Sequence, residues 1–279
     1  MDKLHLSHTQ IMTYTDCPAH YLFSYVCGIK APPRAVMIQG RSIHKGLASG
    51  YEFKKENHKE PRIADMLDIY EDDFKQELAK GEVIFKKDEK PEHYIDTGTK
   101  GLRLYHSELM PKLKPVEIEK EFNIEFSNFD FKFKGIIDLI DDKGIVHDHK
   151  TTGKTPSKLQ IDTDQQLSAY SAGYEKITGK KSKGLQLDFL VLLKDPKIVS
   201  FKTTRNDDDV RRFLSNLAYV KKAIDAGLFY CVHKSQSWVC SKEWCAYEEM
   251  GYHSELYKLG VQKFIDKYGA GGNAEILYG

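Results

Sequence analysis

The sequence predicts an α/β fold, a sheet core with helical flanks. Three observations predict it. Apolar residues recur at helical spacing before Pro115 and again after Asn206. Between Pro115 and Thr204 the period changes to two, that of half-buried strands. The resulting order is helices, three strands, a helix, two strands and a helix.

Ser7 and Gln10 have capping-box spacing, and Ile11 and Tyr14 begin an apolar stripe, so the first helix starts at Ser7. Pro18 suits the first position of a following helical turn through Tyr21, Leu22 and Tyr25. KAPPRA (30–35) is a connector. Residues 36–56 are helical, with Ile43 and Leu47 on one face, and Ile63, Leu67, Tyr70, Phe74 and Leu78 mark an amphipathic helix. The Lys- and Glu-rich stretch 81–93 reads as a loop and 95–112 as a helix. VEIEKEFNIEF (116–126) puts Val116, Ile118, Phe122, Ile124 and Phe126 on one strand face and glutamates on the other. FKFKGIIDLI (131–140) and GIVHDHK (144–150) are the next two strands. LQLDFLVLL (185–193) is more continuously apolar, as a buried strand is, and KIVSFKTT (197–204) pairs with it. Between them 163–176 forms a helix, with Thr163 and Gln166 as a second capping box. The helix after Asn206 has an acidic first turn, apolar Val210, Phe213, Leu217, Val220 and Ile224, and Gly227 as its stop. A last helix covers 254–268. The expected organisation is one domain over 1–269, with a helical N-terminal region (1–114), a sheet core (115–204) and a cysteine-bearing helical region (205–269), followed by a flexible tail (270–279).

The 279 residues suit one large domain, and 41 % apolar with 30 % charged residues allow both a core and a soluble surface. At a net charge of +1, a nucleic-acid partner would have to meet a local basic patch. No stretch is long and apolar enough to span a membrane, and the N-terminus lacks a signal-peptide apolar region. With five cysteines this points to a reducing compartment, the cytoplasm.

The stretch IVHDHKTTG (145–153) concentrates the chemistry. If Asp142, Lys143 and Gly144 form a three-residue loop, Asp141 faces Ile145 and Asp138 falls opposite Asp148, with Gly144 as the left-handed residue. Side chains so paired have Cβ atoms about 4.5–5.5 Å apart, and like charges there repel. A divalent cation between them resolves the repulsion, and oxygen ligands favour magnesium or manganese. Lys150 leaves the same strand face as Asp148, where its ammonium can orient a metal-activated water and stabilise charge on a phosphate. His147 and His149 point to the other face as packing or supporting residues, although the His149 carbonyl remains near enough to coordinate. The bland alternative is a surface hairpin with scattered charges.

GIIDLI (135–140) followed by VHDHKTT (146–152) resembles the core motif of the PD-(D/E)XK nucleases, and GRSIH (40–44), QLSAY (166–170) and the opening LSHTQIMTYTDCPAHYLFSYVCGI resemble the RecB-type exonuclease branch. The resemblance implies a restriction-endonuclease-like core, a central mixed sheet flanked by helices. It implies that His44, Asp138 and Asp148 are metal ligands, that Lys150 is the catalytic lysine, and that Gln166 and Tyr170 position the lysine or a phosphate from the helix behind the sheet. Gln166 and Tyr170 lie four apart, on one helix face. The rival role for Gln166 is capping with Thr163, and Tyr170 and Tyr174 also suit a core. Glu119 and Glu121 lie on the polar face of the preceding strand, where one could approach the metal, with solvated strand charge as the default. The implied reaction is metal-dependent phosphodiester hydrolysis of DNA, on single strands or free ends, in recombination, repair, phage replication or CRISPR spacer acquisition, with recombination or replication proteins as further partners. The rival classes are a non-catalytic DNA-binding scaffold of the same fold and a hydrolase whose metal is held by His147 and His149.

Many relatives in that branch hold an iron–sulphur cluster with one early and three late cysteines. Cys17, Cys240 and Cys245 match three of those positions, and Gly251 stands at the fourth, with Cys231 or His253 as substitutes. A [4Fe–4S] cluster, a zinc ion and free thiols are the alternatives, while Cys27 reads as a buried apolar residue. KKENHK (54–59), the lysines of 176–183 and Arg211 with Arg212 are candidate phosphate contacts against solvated faces as the default. Tyr51, Phe53, Trp238 and Trp244 are candidate base-stacking residues against core packing.

Overall fold

The computed structural model describes residues 4–126, 131–233, 235–237, 239–240 and 244–269, so the expected tail 270–279 and Trp238 lie outside the described residues. In chain order the elements are β1 (Leu4–Ser7), α1 (His8–Asp16), α2 (Pro18–Tyr21) with a π-helical turn at Leu22–Val26, α3 (Ala35–Asn57), α4 (Ile63–Leu78), α5 (Pro91–Glu108), β2 (Pro115–Glu125), β3 (Phe131–Asp141) and β4 (Ile145–Thr152). They continue with α6 (Lys158–Asp162), α7 (Gln165–Thr178), β5 (Gly184–Val191), β6 (Lys197–Thr203), α8 (Asp207–Asp225), α9 (Ala246–Glu249), α10 (Tyr252–Leu259) and α11 (Val261–Tyr268).

The strands form one mixed six-stranded sheet in the order β1-β3-β4-β5-β6, with β2 also pairing β3. β3 and β4 are antiparallel, β4 and β5 parallel, and β5 and β6 antiparallel. Residues 146–149 of β4 and 185–188 of β5 are buried on both faces, as a parallel pair in an α/β sheet must be. The expected α/β core with a mixed sheet is the observed architecture.

Packing divides the chain into two compact units, one of Met1–Ala31, Glu125–Lys134 and Arg211–Gly279, the other of Pro32–Ile124 and Gly135–Val210. In the first, β1 pairs in parallel with Phe131–Lys134. Its core is aromatic: the Phe23 ring meets those of Tyr247, Tyr252, His253 and Phe264 at 5.2–5.9 Å. In the second, Ile43, Leu47 and Tyr51 of α3, Leu67 and Tyr70 of α4 and Leu102 and Tyr105 of α5 bury against Leu139 and Leu190 of the sheet. Among the described residues no helix is long and apolar enough to cross a membrane.

Several boundaries differ from the sequence reading. LHLS was too short to show a period, yet Leu4–Ser7 is a strand; the capping box of Ser7 and Gln10 directly follows it as expected. The expected helix 254–268 is two helices, because Gly260 adopts φ 75°, ψ 164° and breaks the hydrogen-bond ladder. α5 begins at Pro91, whose fixed φ suits a first turn, and stops before Pro111, which cannot continue a helix. The expected helix 163–176 is preceded by α6, which has its own capping box of Ser157 and Gln160. Asp164, not Thr163, caps α7 and accepts from the Gln166 N–H, which leaves the Gln166 side chain free of a capping role. Tyr51 is 1 % exposed and belongs to the core, whereas Phe53 and Trp244 reach the surface.

One contact sets the position of α7. A Cβ placed on Gly135 in β3 would lie 2.3 Å from the Phe122 ring, and one on Gly173 in α7 would lie 2.6 Å from it. The ring of β2 therefore occupies a slot that exists only because two glycines face it. Gly173→Ala should destabilise the protein by about 1–3 kcal/mol through overpacking. In the Phe122→Ala background the same substitution should cost much less, which urea denaturation of the four proteins of the cycle would measure.

Candidate active site

The β3–β4 hairpin has the expected register. Leu139 faces His147 and Ile140 faces Val146, so one step further sets Asp138 opposite Asp148. The turn is the expected one: Gly144 is left-handed at φ 74°, and Asp141 Oδ1 accepts from the N–H groups of Lys143 (3.0 Å) and Ile145 (2.8 Å). Asp138 is fixed by the strand beside it, since its Oδ2 accepts from the backbone N–H of His149 at 2.8 Å.

Three side chains close a ring with Asp148. Lys150 Nζ donates to Asp148 Oδ1 at 3.2 Å and to Gln166 Oε1 at 2.5 Å. Gln166 Nε2 donates to the Tyr170 hydroxyl at 2.7 Å, and that hydroxyl donates to Asp148 Oδ1 at 3.1 Å. Spacing of four on α7 puts Gln166 and Tyr170 on one face, and the Phe122 slot holds that face over β4. Burial works against the Lys150 ammonium, but the Asp148 and Asp138 carboxylates outweigh it and hold its pKa above the usual value. Burial pushes the Asp148 carboxyl up, Lys150 opposes the rise and Asp138 adds to it. Burial and the Asp148 charge keep Tyr170 protonated and therefore a donor.

His44 arrives from α3. A Cβ on Gly40 would sit 2.8 Å from Thr151 Oγ1 of β4, so the glycine of the GRSIH stretch is what lets the helix approach the strand. One turn later His44 Nδ1 stands 3.5 Å from Asp138 Oδ2. A further residue joins them. Glu119, expected as solvated strand charge, has a ligand oxygen within 4.8 Å of those of His44 and Asp138. Its backbone is left-handed, at φ 45°, within β2. Such a residue in a strand re-aims its side chain, as a bulge does. Although Glu119 lies at the exposed rim, its carboxyl is pushed up to about 7, by desolvation first and by the Asp138 charge second. The alternating glutamates of 116–126 give no sign of this turn of the backbone.

His147 and His149 face away from this group, as expected, and the site built on them as ligands does not form. The His147 ring is fully buried between Asp188 Oδ2 (3.0 Å) and Asp141 Oδ2 (3.4 Å), so neither nitrogen is available. Asp188 also accepts from Gln186 Nε2 at 2.7 Å and from Ser200. The signal for this network was a lone carboxylate inside the apolar run LQLDFLVLL, which burial obliges to find partners. His149 Nδ1 is 3.1 Å from the Tyr105 hydroxyl, which is 2.8 Å from that of Tyr51.

The donor set fits a hard divalent cation. Asp148 Oδ2 is buried without a hydrogen bond, with Lys150 Nζ as its ion-pair partner at 3.0 Å. Carboxylates of Asp138 and Glu119 converge with the imidazole of His44, and Asp148 stands opposite Asp138 across the hairpin.

In the first unit the cysteines come together. Burial pushes the Cys231 thiol up to about 12, with Cys17, Cys240 and Cys245 contributing in that order. Cys245 Sγ lies 3.4 Å from His253 Nε2. Cys27 is buried, as expected.

A family model described as the PD-(D/E)XK nuclease superfamily matches residues 5–250. No curated protein matches the chain. Eight solved chains do. One is described as a candidate exonuclease from Eubacterium rectale, 17 % identical, with a TM-score of 0.41 over 67 % of this chain and 82 % of that one. Another is SSO0001, 14 % identical, with a TM-score of 0.31 over 85 % of this chain and 97 % of that one.

Burial lowers the His149 pKa to about 3, so the folded protein keeps this ring neutral. The unfolded chain takes up a proton at about 6.5. The contribution of His149 is therefore fully present above about pH 6.5 and is lost as pH falls from there to about 3. Urea midpoints measured in EDTA should fall across that window in the wild type and more shallowly in His149→Phe.

Proposed function

The chain belongs to the PD-(D/E)XK nuclease superfamily, and from that premise we propose that it is a magnesium- or manganese-dependent deoxyribonuclease of the RecB-type branch, an exonuclease on single strands or free DNA ends in recombination, repair or phage replication. The observation that carries this reading is the closed ring of Asp148, Lys150, Gln166 and Tyr170 beside Asp138, His44 and Glu119. Hydrolysis at phosphorus needs hard oxygen ligands and a held cationic side chain, and the ring supplies both. The Gly40–His44 and Gln166–Tyr170 pairs support the RecB-type assignment, because each is explained by a contact to β4: Gly40 by Thr151, Gln166 by Lys150 and Tyr170 by Asp148.

Asp138, Asp148, His44 and the His149 carbonyl would hold the ion, with Glu119 as a further ligand at the rim. When bound, a divalent cation acidifies a water molecule and draws charge from the phosphoryl oxygens. Lys150 has three protons to donate; Asp148 takes one and Gln166 another, which leaves one for the attacking water or a phosphate oxygen. Gln166 thereby fixes the direction of the remaining N–H. Tyr170 fixes Asp148 Oδ1, and Oδ2, ion-paired with Lys150 at 3.0 Å but without a hydrogen bond, would meet the ion.

Digestion of end-labelled linear DNA with magnesium or manganese tests the reading. Lys150→Ala should lower the cleavage rate on the order of 10²–10³-fold with fold and DNA binding kept. Calorimetric manganese uptake should disappear in Asp138→Asn and Asp148→Asn. Wild-type cleavage by Lys150→Ala would remove the mechanism, whereas DNA binding without cleavage by the wild type would favour a scaffold role. Cutting of circular single-stranded DNA would remove only the exonuclease assignment.

A further inference from the structure

The sulphur-rich group of the first unit contains a donor that a four-cysteine cluster has no use for. His253 Nε2 lies 3.4 Å from Cys245 Sγ. The ligand atoms of His253, Cys240 and Glu248 lie within 4.8 Å of one another. His253 is thus common to both of these close approaches, and all four residues come from the short stretch Cys240–His253. The ring of His253 is packed against Phe23 at 5.7 Å.

The 3.4 Å between Cys245 Sγ and His253 Nε2 suits two ligands of one ion. An edge joining sulphur and nitrogen in a tetrahedral zinc site is about 3.5 Å, given bonds of about 2.3 and 2.0 Å. The irons of a cubane each point one ligand outward from a different corner, so its ligands stand farther apart than a single tetrahedron allows. Gly251, where the last cysteine of a cluster set would fall, is left-handed at φ 80°, a conformation strained for cysteine. The chain uses that position for the turn that starts α10, and this turn delivers His253 two residues later.

We propose that Cys240, Cys245, Glu248 and His253 form a mononuclear zinc site that ties α9 to α10. Two thiolates, an imidazole and a carboxylate are all established zinc ligands, and borderline-soft zinc suits this mixture better than magnesium does. Cys17 and Cys231 stand beside the ion as thiols, and Cys231 has the Tyr257 hydroxyl as a partner. Ligand binding to the folded state alone couples the ion to stability, so its loss lowers the thermal midpoint.

Elemental and sulphide analysis of the anaerobically purified full chain, with its absorption spectrum, is the test. The expected result is about one zinc per chain, no iron–sulphide absorbance, and cobalt substitution giving the visible bands of a tetrahedral thiolate site. Cys17→Ser and Asp148→Asn should keep the zinc. His253→Ala should lose it together with several degrees of thermal midpoint, and His253→Cys should restore it. Should His253→Ala fail to fold, the wild-type content and the Cys17→Ser variant still decide. Iron with acid-labile sulphide, metal-free wild-type protein, or loss of zinc on Cys17→Ser would each overturn the proposal.

Discussion

The register of one hairpin governs the second unit. A three-residue turn closed by Asp141 and left-handed Gly144 sets Asp138 opposite Asp148. Two carboxylates in that relation repel, and the surrounding residues offset the repulsion. Lys150 supplies positive charge to Asp148, the His149 amide and His44 approach Asp138, and the hydroxyl of Tyr170 reaches Asp148 from α7. A slip of one residue in either strand would move one aspartate to the other face of the sheet and break the pair. A nuclease of this superfamily can therefore carry its chemistry on few side chains, provided the turn is right.

Alternation along β4 separates two polar layers. Asp148 and Lys150 face the candidate site, while His147 and His149 face the interior, where Asp188 and Asp141 bracket the His147 ring and Tyr105 meets His149 Nδ1, leaving His149 Nε2 buried without a hydrogen bond. Each layer is bonded within itself, which is how a strand this deeply buried carries so many ionisable groups. The helices that complete the site are held by missing side chains: Gly40 brings α3 against Thr151, and Gly135 with Gly173 admits the Phe122 ring beneath α7. In a close-packed interior such slots fix position more firmly than a surface ion pair does.

The donor atoms sort the two groups of potential ligands. Carboxylates with one imidazole converge around Asp138, whereas thiols gather around His253. The two donor sets differ in softness, the property by which protein sites favour one class of cation over another.

Much of this was legible in the residues. The change of period at Pro115, the DDKG turn and the two-residue step from Asp148 to Lys150 are local, and they determined the α/β class, the hairpin register and the face shared by aspartate and lysine. Motif order pointed to His44, Gln166 and Tyr170. Only the tertiary structure decided the rest. Glu119 reads as an ordinary strand glutamate, and its left-handed backbone is not one that glutamate favours. Asp188 gave a hint by its burial, but its partner lies 41 residues away in sequence. Gly260 and Gly251 shape the C-terminal helices through conformations that glycine permits without requiring. Periodicity and turn chemistry act between neighbours and can be read along the chain. Convergence of donors depends on which distant segments pack together, and that is fixed only when the whole unit closes.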